Sequence, residues 1–154
     1  MDTDRKDALA TIEQAMVRIR RSQTRRAIGR LMEQQTGRRR SVSLTFVVDA
    51  LEEIAGEPHP QPTVGAVGER LGIDPSRASR MVASAVKAGY VRRVASQGDG
   101  RRILLHLTPK GLQCAGEARE FRTRFFARLM QDWPDRDCRD FARLLRKFTE
   151  ARTG

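Results

Sequence analysis

Apolar positions after residue 62 recur at helical spacing and predict two short consecutive helices. The first set falls on one helix face at three- and four-residue intervals: Val64, Val67 and Leu71. Gly72 stands where that helix is expected to end, since glycine commonly follows the last helical residue. Asp74-Pro75 is a typical helix start, with an aspartate as N-cap and a proline in the first turn.

The second of these helices is expected to run from Pro75 to Ala88 with two unlike faces. Its apolar stripe comprises Ala78, Met81, Val82, Ala85 and Val86. Its polar face comprises Ser76, Arg77, Arg80, Ser84 and Lys87, with Ser79 beside them. A helix-turn-helix needs this arrangement, in which one helix braces and the next offers donors that reach base edges. We expect Ser76, Arg77, Ser79 and Arg80 to reach deepest, and Ser84 and Lys87 to lie nearer the DNA backbone.

A two-stranded hairpin is predicted directly after these helices. Strand-like residues run from Val91 to Ser96 and return from Arg101 to Leu107, and Gln97 to Gly100 supplies turn residues between them. The returning strand places Ile103, Leu105 and Leu107 on one face and Leu104 and His106 on the other. The candidate DNA contacts of the hairpin are Arg92, Arg93, Asp99, Gly100, Arg101 and Arg102. A basic hairpin behind a helix-turn-helix makes a winged helix.

The winged-helix stretch resembles the MarR family of bacterial transcription regulators. Four groups carry the resemblance, in the family's order and spacing: Ser79-Arg80, Ala88-Gly89-Tyr90-Val91, Asp99-Gly100-Arg101 and Leu107-Thr108-Pro109-Lys110-Gly111. The resemblance implies that Arg101 contacts the minor groove or phosphate while Asp99 holds the loop. Arg102 stands where the family more often has a small residue. Arg92 and Arg93 are expected near phosphates rather than base edges.

Gly68 also departs from the family, which more often has alanine at this point of the first helix. We expect the glycine to permit close packing against the second helix.

Long helices are predicted on both sides of the winged helix. Residues from about Asp4 to Thr36 keep an apolar stripe, with Leu9, Ile12, Met16 and Ile19, then Ile28, Leu31 and Met32. The same segment is dense in arginine at positions 18, 20, 21, 25, 26 and 30. That arginine face is read either as solvated, with its stems covering apolar neighbours, or as a contact for phosphate or a partner subunit. A second helix, Leu44 to Ala55, is expected to be capped by Ser41 or Ser43.

After a proline-rich connector and the wing, Thr108-Pro109 is expected to open a helix running to about Asp132. Trp133-Pro134 ends it, and Asp135 begins a last helix with the stripe Phe141, Leu144, Leu145 and Phe148. The predicted fold class is mainly α with a small β-wing (α+β), as one domain over 1–154. Residues 1–56 and 112–152 would be dimerisation helices, and 63–111 the DNA-binding region. In the family such helices form a two-fold dimer, which would hold two recognition helices roughly 34 Å apart on DNA.

Charge favours a polyanionic partner. The 154 residues carry a formal net charge of +11 with a pI near 11.2. Residues 63–113 hold nine Lys/Arg against three Asp/Glu, so more than half of the excess lies on the winged helix. Arginine outnumbers lysine 26 to 4, a bias that a GC-rich genome alone can produce. No run of about 18 apolar residues occurs, and the N-terminus lacks the apolar stretch of a signal peptide, so we expect no membrane association and a cytoplasmic location.

The remaining reactive side chains favour no catalytic or metal chemistry. His59, His106, Cys114 and Cys138 are scattered without metal-ligand spacing, and no nucleophile-and-base set or phosphate loop occurs. We therefore expect no cofactor and no enzyme activity. Cys114 lies near the predicted start of a helix, which would lower its pKa slightly and permit a redox role. The alternative is that both cysteines are ordinary and reduced.

The preferred hypothesis is a homodimeric, ligand-responsive repressor that binds double-stranded DNA at a pseudo-palindromic operator. The resemblance implies a small aromatic effector, and the arginine-rich first helix is compatible with an anionic one. Two alternatives stay open: a basic protein that binds nucleic acid without sequence preference, and a winged helix that binds another protein.

Overall fold

The computed structural model describes residues 3–22 and 42–151. Its elements, in chain order, are α1 Thr3–Ser22, α2 Val42–Ala55, α3 Val64–Leu71, α4 Pro75–Lys87, β1 Val91–Ala95, β2 Ile103–Leu107, α5 Pro109–Leu129 and α6 Asp135–Glu150. The expected mainly helical fold with a two-stranded wing is confirmed.

Most predicted boundaries hold within a few residues, and two points differ. Helix α5 ends at Leu129 rather than near Asp132. Helix α2 already includes Val42, so Ser43 is a helical residue and the prediction that it caps this helix is wrong. The alternative cap Ser41 lies outside the described residues. So does the predicted continuation of the first helix beyond Ser22, with its apolar residues Ile28, Leu31 and Met32 and its arginines at 25, 26 and 30.

The chain divides into two compact units, Met1–Ala115 and Gly116–Gly154. The first unit holds a buried cluster to which α2, α3, α4 and both strands contribute. Its members are Val47, Ala50, Leu51, Ile54, Val67, Val82, Ala85, Val91 and Leu105. Four of these nine side chains come from α2. Because burial of apolar area drives this packing, α2 is the support against which the helix-turn-helix and the wing are held.

The turn between α3 and α4 depends on two residues whose roles the sequence predicts, Gly72 and Asp74. Gly72 closes α3 with φ of 61°, a left-handed conformation in which glycine avoids the strain of a Cβ. Asp74 then caps α4, because its Oδ1 accepts a hydrogen bond from the backbone N–H of Arg77 at 2.9 Å. A Cβ added to Gly68 would lie 3.1 Å from the Cβ of Ala78. This confirms the expected close approach of α3 to α4.

The wing is a two-stranded antiparallel ribbon whose pairing runs from Val91 opposite Leu107 to Ala95 opposite Ile103. Leu105, in the middle of β2, is 1% exposed and anchors the ribbon in the core. Ile103 lies on the same face but is 46% exposed, because it pairs close to the wing tip, beyond the core. The backbone N–H of Leu105 also donates to the carbonyl of Pro62 at 2.7 Å, so the proline-rich connector lies along the outer edge of β2.

The second unit contains the C-terminal part of α5 and all of α6. Aromatic pairs are among the contacts within it: Phe121 stacks on Phe125 with ring centroids 6.5 Å apart, and Trp133 meets Phe141 edge to face at 5.6 Å. Along α6, which the structure describes completely, no side chain is buried. The predicted apolar stripe of α6 is 42–52% exposed: Phe141, Leu144, Leu145 and Phe148.

Candidate nucleic-acid interface

Helix α4 turns one face into the core and the other to solvent. Ala78, Val82 and Ala85 are fully buried. The predicted recognition residues lie on the remaining surface, where Arg77 is partly exposed and the others are exposed: Ser76, Ser79, Arg80, Ser84 and Lys87. The cap at Asp74 places Ser76 and Arg77 in the first turn of the helix, the end that enters deepest into a major groove in helix-turn-helix proteins. The face therefore offers arginine donors and hydroxyl groups without a hydrophobic patch.

Ser84 differs from the other serines of this face. Its Oγ donates a hydrogen bond to the carbonyl of Arg80 at 3.0 Å, one turn back along the same helix. That hydroxyl proton is used within the helix, so Ser84 can meet DNA only as an acceptor while this bond stands. Sequence position could not reveal this, because the alternative rotamers of a helical serine leave the hydroxyl free.

The wing tip is held by the backbone around Asp99. Its Oδ1 accepts from the N–H of Arg101 at 3.1 Å, and its carbonyl accepts from the N–H of Arg102 at 2.9 Å. A further bond joins the N–H of Ser96 to the carbonyl of Arg102 at 2.8 Å. Asp99 thus fixes the loop through main-chain donors, and the exposed guanidinium groups of Arg101 and Arg102 extend from a defined turn. Gly98 and Gly100 have no atom within 4 Å of an added Cβ, so neither is required by close packing here.

Arg92 and Arg93 are both exposed, yet successive residues of a strand face opposite sides of the sheet. Arg92 pairs across the ribbon with His106, and Arg93 pairs with Leu105. The two arginines therefore cannot serve one DNA segment from the same face of the wing. The sequence shows them only as neighbours.

Arg70 is a basic residue of the winged helix whose charge is paired with acids outside it. Its guanidinium forms ion pairs with Glu53 at 2.7 Å and with Glu57. Hydrogen bonding to Glu53, supplemented by Glu57, raises the pKa of Arg70 above its ordinary value. Both acids precede residue 63, so a charge count over 63–113 includes a cation that is neutralised from outside that stretch. This ion pair ties α3 to the end of α2, and no local pattern predicts it.

The cysteines do not form a reactive site in the described structure. Neither Cys114 nor Cys138 is in a disulfide within the described residues. Cys114 is 1% exposed and packs with Val48 and Ala115, so it lacks the solvent access that a redox-sensing thiol needs. The expectation of a redox role for Cys114 finds no support in this geometry. Cys138 on α6 is partly exposed.

Residues 3–22 and 42–151 contain no group of three or more His, Cys, Asp or Glu side chains arranged to hold a metal ion. Among the helices described in these ranges, none combines the length and apolar character needed to cross a bilayer.

A capped helix-turn-helix with an exposed polar second helix, followed by an arginine-tipped ribbon, defines a winged helix-turn-helix protein. Residues 42–102 match the model of the MarR family. This match spans α2 to the wing tip. No curated protein sequence matches the chain.

Solved structures share the fold over nearly the whole chain. A MarR family protein from Bacillus stearothermophilus is 21% identical with a TM-score of 0.78, covering 100% of this chain and 99% of its own. The transcriptional regulator BldR from Sulfolobus solfataricus is 18% identical with a TM-score of 0.70, covering 98% and 99%. MepR of S. aureus, bound to ethidium bromide, is 10% identical with a TM-score of 0.61, covering 98% and 96%. Residues 42–102 are thus similar to the MarR family of transcription regulators, and the solved structures show that the chain shares their fold.

Proposed function

We propose that the protein is a homodimeric repressor that binds a pseudo-palindromic operator in double-stranded DNA. The observation that carries the proposal is the exposed polar face of α4, braced by α3 and followed by the ordered arginine tip of the wing. Arg77 and Arg80 would read base edges, as arginine grips guanine with two hydrogen bonds. Ser76 and Ser79 would assist, and Asp99 and Gly100 would shape the wing loop. The remaining residues would contact phosphate or the minor groove: Ser84, Lys87, Arg92, Arg93, Arg101 and Arg102.

Exposed apolar stripes on the terminal helices support a homodimer. Leu9, Ile12, Met16 and Ile19 of α1 are 39–50% exposed, and the stripe of α6 is 42–52% exposed. Regular apolar faces of this length are unusual on a monomer and typical of subunit contacts. In the proposed division of labour, 1–56 and 112–152 form the dimer and 63–111 bind DNA. A two-fold axis would then present two copies of α4 to two half-sites.

A small aromatic or anionic ligand is the proposed effector. The fold relative MepR binds ethidium bromide, an aromatic cation, which supports the aromatic class. Exposed Arg18, Arg20 and Arg21 on α1 support an anionic one. Such a ligand would act by binding one separation of the two recognition helices better than another, because only differential affinity shifts the equilibrium. As a regulator of chromosomal genes, the protein would act in the cytoplasm.

The test begins with selection of bound fragments from the source genome, followed by titration of the selected site and of random DNA at one fixed salt concentration. We expect the selected site to bind about a thousand-fold tighter or more. Arg80→Ala should lose roughly 1–3 kcal/mol of that preference. Arg5→Ala removes an exposed arginine of α1 and serves as the control for charge.

The net charge of +11 favours one competing function, sequence-independent nucleic-acid binding. Equal affinity for selected and random DNA, with Arg80→Ala and Arg5→Ala equally impaired, would establish that function and refute the repressor. If the Arg80→Ala variant kept its full DNA affinity, the DNA-binding surface would lie elsewhere than on α4.

A further inference from the structure

Three consecutive carbonyls directly after the recognition helix are held by Thr108, which precedes α5, and by Lys110 in its first turn. The carbonyl of Ala88 accepts from Lys110 Nζ at 2.8 Å, that of Gly89 from Thr108 Oγ1 at 2.6 Å, and that of Tyr90 from the Thr108 N–H at 3.0 Å. Ala88 is the C-cap residue of α4, and its carbonyl and the two that follow have no partner within the helix. Here their partners come from 18 to 22 residues further along the chain, beyond the whole wing. We call this contact between residues 88–90 and 108–111 the α4–α5 joint.

Packing fixes the α4–α5 joint as firmly as hydrogen bonding does. Lys110 Nζ lies 4.4 Å from the centroid of the Tyr90 ring, a cation–π distance. A Cβ added to Gly111 would come within 2.2 Å of the Tyr90 carbonyl oxygen. Tyr90 itself packs against both buried clusters of the first unit. The end of α4 and the start of α5 therefore lie too close, and with too many bonds, to rotate independently.

The joint creates a direct path between two functions that the covalent chain separates. Along the chain, α4 is connected to α5 only through the protruding ribbon from Val91 to Leu107. Through the joint, α4 contacts the beginning of a helix that continues to Leu129. In the proposed homodimer the direction of α4 relative to α5 sets where each recognition helix reaches its half-site. A small change at the joint would be magnified along α4.

We propose that Lys110 and Thr108 are positioning residues, which set DNA affinity and the preferred half-site spacing by holding the end of α4 against the first turn of α5. The inference rests on the proposed function of a dimeric DNA-binding regulator. Lys110 is basic and exposed, so the competing role is a direct phosphate contact. The two roles differ in a measurable way. A phosphate contact contributes about one unit to the slope of log affinity against log salt, whereas a positioning residue leaves that slope unchanged.

The test compares Lys110→Met, which keeps the apolar stem and removes the donor, with Lys6→Met on α1, which makes the same charge change elsewhere. Each is titrated on the selected operator and on versions with the half-sites moved by one or two base pairs, over a range of salt. We expect Lys110→Met to bind the operator roughly five-fold more weakly, the lower end of typical coupling between sites. It should also lose most of the preference for native spacing and keep the wild-type salt slope. Lys6→Met should match wild type in operator affinity, in spacing preference and in salt slope.

A second pair of variants tests the hydroxyl at position 108. Thr108 Oγ1 donates to the Gly89 carbonyl and accepts from the Gly111 N–H at 3.1 Å. Thr108→Ser keeps both bonds and should retain the spacing preference, whereas Thr108→Val loses both and should lose it. Thermal unfolding of every variant at one protein concentration identifies any that fails to fold. Lys110→Met changes only an exposed side chain, and Thr108→Ser conserves both hydrogen bonds. These two variants therefore keep the test decisive if Thr108→Val is unstable.

Three outcomes would overturn the inference. A salt slope lower by about one with the spacing preference intact makes Lys110 a phosphate contact. Wild-type behaviour of Lys110→Met and Thr108→Val on every spacing shows that the joint does not position α4. Failure of the wild-type protein itself to distinguish selected from random DNA refutes the proposed function, and the inference falls with it. The first two outcomes require a wild-type protein that does discriminate, so they are separate from the third.

Discussion

Two glycines of the same helix should respond to alanine in opposite directions. Gly111 is buried in the first turn of α5, and its added Cβ would lie 2.2 Å from the Tyr90 carbonyl oxygen and 3.2 Å from Leu107 Cδ2. Close carbon–oxygen contacts in proteins are about 3.3 Å or longer, so Gly111→Ala requires a movement of about 1 Å. The atom in the way belongs to the backbone, so no side-chain rotation relieves the overlap. Gly116, one and a half turns further on, has nothing within 4 Å of its added Cβ.

The magnitude follows from these distances. Overpacking costs about 1–3 kcal/mol, and losing the bond from the Thr108 N–H to the Tyr90 carbonyl costs about 0.5–1.5 kcal/mol more. Alanine returns at most about 1 kcal/mol through its helix propensity. We expect Gly111→Ala to lower the free energy of unfolding by about 0.5–4.5 kcal/mol and Gly116→Ala to raise it by up to about 1 kcal/mol.

Urea denaturation followed by circular dichroism measures both variants. All proteins are compared at one concentration, since the stability of a dimer depends on concentration. A Gly111→Ala variant as stable as wild type would refute the steric argument and with it the tightness of the α4–α5 joint. A loss in Gly116→Ala equal to that in Gly111→Ala would show that the helix as a whole, rather than the contact with Tyr90, is sensitive to alanine.

Three further predictions concern the wing, the cap and the subunit contact. Arg101→Ala should weaken DNA binding several-fold without changing thermal stability, since its guanidinium is exposed and its loop is held through main-chain bonds; an unchanged affinity in a fluorescence anisotropy titration contradicts this. Asp74→Ala should lower the free energy of unfolding by about 0.5–2 kcal/mol because the cap of α4 is lost. Asp74→Ser should recover most of it, and equal loss in urea denaturation would mean that capping is not the cause. Leu145→Glu, on the exposed stripe of α6, should convert the proposed dimer to folded monomers in sedimentation velocity runs. A variant that stays dimeric would show that α6 is not part of the subunit interface.

The sequence predicts the elements of the winged helix well because their causes are local. Asp74 caps α4 by accepting a hydrogen bond from the N–H of Arg77, three residues further along the chain, and Gly72 ends α3 by adopting a left-handed backbone conformation. The apolar spacing on α4 alone separates the buried from the exposed face. Even the close contact at Gly68 is foreshadowed, since a glycine inside a short helix calls for a packing reason.

What the sequence does not reveal depends on distant contacts. The acids that engage Arg70 lie 17 and 13 residues before it, across a proline-rich connector. Lys110 appears in sequence as one more surface cation, and only the folded wing brings it to the carbonyl of Ala88. The burial of Cys114 likewise comes from α2, through Val48, and not from its neighbours in α5 alone. Helical spacing identifies a face but not the partner that covers it.

The connector along β2 has a consequence for how far the wing sheet can grow. An exposed ribbon is a template on which a strand of another molecule could pair. On the outer side of β2, the carbonyl of Pro62 already occupies the N–H of Leu105. Neither Pro60 nor Pro62 has an N–H of its own, so the connector accepts a bond from the sheet but makes a poor template for the next strand. The protein can thus extend an open ribbon toward DNA while blocking edge-to-edge aggregation on that side.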